Sequence, residues 1–98
     1  MRVDEALDGA DAVRLFAEEV GPRQPDRIQV RLDADDGMTR LCAVEAALAS
    51  RWPPSTVKEL IWLTRTERTD GDRLHLQAFT ADGELMEAAT FRLERRDA

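Results

Sequence analysis

The spacing of apolar positions changes along the chain from a helical period to strict alternation. Val13, Phe16, Ala17 and Val20 recur at i, i+3, i+4 and i+7, which builds one stripe of a helix, while Arg14, Glu18 and Glu19 fall on its other side. Asp11 offers an acceptor for a first-turn amide and Gly21-Pro22 stops the run, so a helix is predicted over residues 11–20. Ahead of it, Val3, Ala6 and Leu7 fit either an added helical turn or a loose arm.

Past Pro25 the period becomes two. Ile28, Val30 and Leu32 alternate with Gln29 and Arg31, predicting a half-buried strand over residues 27–32. After Asp36-Gly37, the stripe Leu41, Val44 and Leu48 with its supporting alanines predicts a second helix over residues 39–50, ended by Trp52-Pro53-Pro54. The same residues also permit residues 38–41 to form a strand, with the helix starting later.

Three strand-like runs follow, over residues 57–68, 73–80 and 84–95, separated by Thr69-Asp70-Gly71-Asp72 and Ala81-Asp82-Gly83-Glu84. Asp-Gly between alternating runs is a strong hairpin signal, because a two-residue type I′ turn needs positive φ at both central positions. The predicted fold class is α+β. It has an antiparallel sheet with a C-terminal three-stranded meander, packed on one face by about two helices, in a single domain spanning residues 1–98.

Two-residue turns also set a register. Leu63 then faces Ala78, and Leu74 and Leu76 face Phe91 and Ala89; with Ile61, Leu85 and Leu93 they form the helix-covered face. On the opposite face Trp62 comes opposite Phe79, Phe79 opposite Met86, and Leu60 lies beside them, with Thr64, Thr66, His75, Gln77, Ala88 and Thr90 further along. An outer sheet face is ordinarily polar, so this cluster calls for cover: the N-terminal arm or a loop, a second copy of the chain, or a partner or ligand. The candidate interaction surface is therefore Leu60, Trp62, Phe79 and Met86, with Thr64, His75 and Gln77 as polar contacts.

Charge narrows the partners. Fourteen basic against twenty acidic residues give a net charge of −6, which opposes a phosphate backbone and matches a basic protein surface better. No direct nucleic-acid partner is expected. The chain has no apolar run of about eighteen residues, and Met1-Arg2-Val3-Asp4-Glu5 lacks the basic start and apolar stretch of a signal peptide, so no membrane partner and a cytoplasmic location are expected. Lys58 is the single lysine, a bias toward arginine that points to a GC-rich genome.

No residue set advertises chemistry. His75 is the only imidazole, and its expected cross-strand neighbours are Thr66 and Thr90, without an orienting carboxylate. Cys42 is the only cysteine, can form no internal disulfide, and reads as a packed thiol among apolar neighbours. Asp33-Ala34-Asp35-Asp36-Gly37 looks like a calcium loop, but counting on from Asp33 puts Val44 where the bidentate glutamate belongs. Ser50 and Ser55 sit at element boundaries, where serine caps backbone groups. No catalytic set, cofactor or metal site is expected.

These features favour a non-enzymatic acidic interaction module, regulatory or inhibitory, acting through an apolar sheet face as a homodimer or on another protein. The alternative is a small-molecule sensor with its ligand between sheet and helices or at a dimer interface. An enzyme using carboxylates or His75 is the remaining class.

Overall fold

The computed structural model describes residues 6–33, 37–53, 59–65 and 72–94. Helix α1 (Gly9–Val20) is followed by strand β1 (Arg27–Asp33), helix α2 (Gly37–Arg51) and strands β2 (Glu59–Arg65), β3 (Arg73–Phe79) and β4 (Leu85–Arg92). The fold is α+β, with two helices packed on an antiparallel sheet of β1, β3 and β4 that a fourth strand extends in parallel. The sheet order is β2-β1-β3-β4.

Helix α1 forms on the expected stripe: Ala12, Val13, Phe16, Ala17 and Val20 are all buried. It starts earlier than Asp11, because Asp8 is the cap; its Oδ1 accepts the Asp11 backbone N–H at 2.8 Å. At the other end Gly21 adopts φ +78° and donates its N–H to the Ala17 carbonyl at 3.0 Å, closing the helix in a conformation that favours glycine. Helix α2 begins at Gly37, so residues 38–41 are helical.

From α2, Val44 and Leu48 enter the core, and Trp52 follows the helix end with its ring 6.0 Å from Phe16 in an edge-to-face contact. Cys42 is exposed, a correction to its reading as a packed thiol. It lies off the Val44–Leu48 stripe, and helical geometry outranks the apolar neighbours in sequence.

The strands alternate as their sequences require. Ile28, Val30 and Leu32 from β1 and Leu74, Leu76 and Ala78 from β3 are at most 1% exposed and meet the helices in one core. Burying a side chain such as Phe16 or Leu74 contributes about 2 kcal/mol before conformational entropy is counted.

Strand β2 joins the sheet differently from the expected meander. It pairs in parallel with β1, and β3 pairs antiparallel with the other edge of β1. A parallel neighbour requires a crossover connection, and α2 lies within it. The Asp70-Gly71 turn proposed between the second and third strands lies outside the described residues.

The β3–β4 hairpin does form, and its register matches the expected one from Leu74↔Phe91 to Ala78↔Glu87. At its tip the two-residue turn gives way to a longer one. Thr80 donates its N–H to the Glu84 carbonyl at 2.9 Å, the Gly83 N–H returns to the Thr80 carbonyl at 3.0 Å, and positive φ occurs at Gly83 but not at Asp82. The register slips there to Phe79↔Leu85. Leu85 is consequently 54% exposed instead of buried, while Met86 packs partly buried against the core instead of opposite Phe79.

Ahead of α1, Leu7 lies in a β-bridge and not in a helical turn, and Val3 is outside the described residues. Leu7 makes a parallel bridge to Leu93, donating its N–H to Arg92 and accepting from Glu94, both at 2.9 Å.

Candidate functional site

With both helices on one side, the opposite side of the sheet remains uncovered by them. Alternation sends to it Arg27, Gln29, Arg31 and Asp33 from β1, Arg73, His75, Gln77 and Phe79 from β3, and Ala88, Thr90 and Arg92 from β4. Antiparallel register then sets the cross-strand pairs. Gln29 is opposite Gln77, Arg31 opposite His75, and Arg27 opposite Phe79.

These pairs are ordered by contacts. Gln29 Nε2 donates to Gln77 Oε1 at 3.2 Å. The Arg27 guanidinium lies over the Phe79 ring, 4.3 Å from its centroid, so the one aromatic side chain on the described part of this face is capped by a cation. His75 connects three strands: Nε2 lies 3.0 Å from Asp33 Oδ2 on β1, and Nδ1 lies 2.9 Å from Thr90 Oγ1 on β4.

Nε2 also has Arg31 Nη2 at 3.0 Å, and Arg31 Nη2 is 3.5 Å from Asp33 Oδ2. One nitrogen cannot serve both neighbours. With its proton on Nε2 the ring donates to Asp33 and accepts the Thr90 hydroxyl; with the proton on Nδ1 it donates to Thr90 and accepts from Arg31. Asp33 holds this cluster from below, its side chain only 10% exposed. Its Oδ1, together with Arg27 Nε and Arg31 Nε, is buried without a hydrogen-bond partner among the described residues. Such groups carry a desolvation cost, and they mark unused hydrogen-bonding capacity in this face.

The sequence expectation for this site is redistributed. His75, Gln77 and Phe79 do lie on the open face, and Thr90 is the neighbour of His75 as the register required. Leu60, Trp62 and Thr64 pair with Ile28, Val30 and Leu32, the β1 positions on the helix-covered side, and Ile61 and Leu63 take the register of Gln29 and Arg31. Trp62 is thus two strands from Phe79, since β1 lies between β2 and β3. Arg27, Arg31 and Asp33 were missed as site residues. Their signal was available in the alternation of β1, but the partner strand that brings Asp33 to His75 was not.

Carboxylate, imidazole and hydroxyl in line are the components of a general-base relay. Here they also tie three strands together across an open surface. A shallow hollow of about 320 Å³ sits over this point, lined by Gln29, Arg31, His75, Gln77, Ala88 and Thr90. A second hollow of about 530 Å³ runs between the helices over Ala10, Val13, Ala17 and Ala47, rimmed by Arg14, Glu18 and Arg51; it follows from the small side chains there. Among the described residues no group of three or more His, Cys, Asp or Glu side chains is placed to hold a metal ion, and no helix is long and apolar enough to cross a membrane.

Compared with family models, with curated proteins and with solved structures, the chain finds no match in any of the three.

Proposed function

We propose that the chain is a small interaction module that docks on another protein, or on a second copy of itself, through the sheet face its helices leave uncovered. The observation that supports this most is the ordered, half-buried ladder Arg27–Phe79, Gln29–Gln77 and Asp33–His75–Thr90. Preorganised side chains lose little entropy on binding. Arginine and aromatic groups are also enriched where interfaces bury their centres.

A photo-cross-linking amino acid at Ala88, exposed on this face, tests the reading against the same group at Glu45, exposed on α2. Cross-links from position 88 to a second copy or to an identified partner, and none from position 45, are expected. The reverse pattern overturns the proposal.

The hollow over His75 supports a second reading, a small-molecule sensor. Gln29, Arg31, His75, Gln77 and Thr90 would orient a compact polar ligand there. Saturable shifts of the His75 and Thr90 resonances with a small molecule, without any change in mass, would favour it.

A further inference from the structure

The proposed docking face carries a charge opposite to that of the whole chain. On β1 and β3 its described side chains include Arg27, Arg31 and Arg73 against the single carboxylate Asp33, and that carboxylate is already engaged by Arg31 and His75. The β2 positions in register with this face, Glu59, Ile61, Leu63 and Arg65, add one charge of each sign. The helices lean the other way, with Asp11, Glu18, Glu19 and Glu45 against Arg14, Arg40 and Arg51. A net charge of −6 therefore hides a basic sheet face on an acidic body.

From this segregation we infer that the partner is an acidic protein segment, its carboxylates received by the arginines of the open face. This rests on the docking reading above and gives it a partner chemistry. Guanidinium groups bind carboxylates through two parallel hydrogen bonds, and the Arg27 guanidinium is positioned over the Phe79 ring, 4.3 Å from its centroid.

Two other occupants fit less well. A second copy laid face to face brings arginine against arginine, and a copy presenting its helices gives a head-to-tail contact, which closes into a ring only at particular rotations. A nucleic acid extends well past a face this small, and its phosphates then meet the negative body, whereas a short acidic segment ends at the border of the basic patch.

The experiment is a titration of the isotopically labelled chain, followed by amide and side-chain resonances. The probes are a short peptide rich in aspartate and leucine, its lysine-substituted counterpart, and a short single-stranded oligothymidylate. The acidic peptide is expected to shift residues 27–33, 73–79 and 88–92 saturably, with affinity falling as salt rises. Arg73→Glu should weaken it at least about tenfold and Arg73→Gln less, while Glu45→Arg should leave it unchanged. Arg73 contacts none of the His75 cluster in the bonds described above, so its variants report on binding without dismantling that network. Resonance dispersion confirms that each variant is folded.

Tighter binding of the oligonucleotide overturns the inference in favour of a nucleic acid. Shifts of this face with the lysine peptide, or with rising protein concentration alone, overturn the acidic partner but leave the docking face standing. Shifts confined to the helices with any probe, or no saturable shift at low salt, overturn both.

Discussion

Asp33 is the residue on which the open face turns. It is a carboxylate taken almost out of water, and what compensates it is the Arg31 guanidinium and the His75 ring. Truncating it leaves Arg31 beside an imidazole with no negative group between them. Asp33→Ala is expected to lower the unfolding free energy by about 2 kcal/mol, read from urea denaturation, and His75→Gln by about 1 kcal/mol because a carboxamide retains part of the bonding. An Asp33→Ala change within about 0.5 kcal/mol of wild type would show that the cluster contributes nothing to the fold.

Glu19, on the helix side, gives the pH-dependent case. Partial burial raises its pKa above the ordinary 4.5, and the facing Glu87 carboxylate raises it further. A carboxyl group with a raised pKa in the folded state binds more protons there than in the unfolded chain. Its contribution is therefore most favourable below pH 4.5 and is lost as pH rises through the raised value. Glu19→Gln should stabilise the protein at neutral pH by about 0.5 kcal/mol or less, because the side chain is largely solvated, and the gain should vanish under acid conditions. Equal stabilisation at both pH values would remove the electrostatic explanation.

Among the elements, two glycines distinguish packing from backbone conformation. A Cβ on Gly9 would stand 2.8 Å from Val44 Cγ2 on α2, and Val44 is fully buried with a stiff β-branched side chain. Gly9→Ala should therefore cost about 1 kcal/mol despite alanine's better helix propensity, and should cost less in a Val44→Ala background. At Gly83 the space is open and the φ of +84° is the obstacle, so Gly83→Ala should cost about 1 kcal/mol in any background. Thermal unfolding of the variants, singly and combined, separates the mechanisms; equal costs of Gly9→Ala in both backgrounds would contradict the close approach.

The same elements show where sequence reasoning reaches. The stripe from Val13 to Val20 and the alternation of Ile28, Val30 and Leu32 are local patterns, and the buried faces follow them. The hairpin register held from Leu74 to Ala78 because side chains on both strands had to face the core. It slipped at Phe79 because a three-residue turn and a two-residue turn both accept Asp82-Gly83, and one added residue moves Leu85 out and Met86 in. Strand β2 was misplaced for a different reason. An Asp-Gly pair signals a turn from neighbouring residues, whereas the competing pairing with β1 reaches across α2 and leaves no local mark. The site inherited that error: Phe79, His75 and Gln77 were legible by alternation, and Asp33 was not, since it reaches His75 only through the β1–β3 pairing.

For the whole molecule, the helices and the sheet divide the work. One sheet face joins both helices in a single core, and the other carries a bonded array of arginine, glutamine, histidine and threonine side chains of opposite charge to the body. The central claim is that this array is the surface through which the protein binds. Hydroxyl-radical footprinting of the free chain and of its complex tests it most directly, because Phe79 and His75 are reactive reporters on that face. Protection of Phe79 and His75 in the complex, with the exposed α1 side chains Arg14 and Glu18 unchanged, is the result predicted. Protection confined to α1 and α2, with Phe79 and His75 as reactive as in the free chain, would contradict the account.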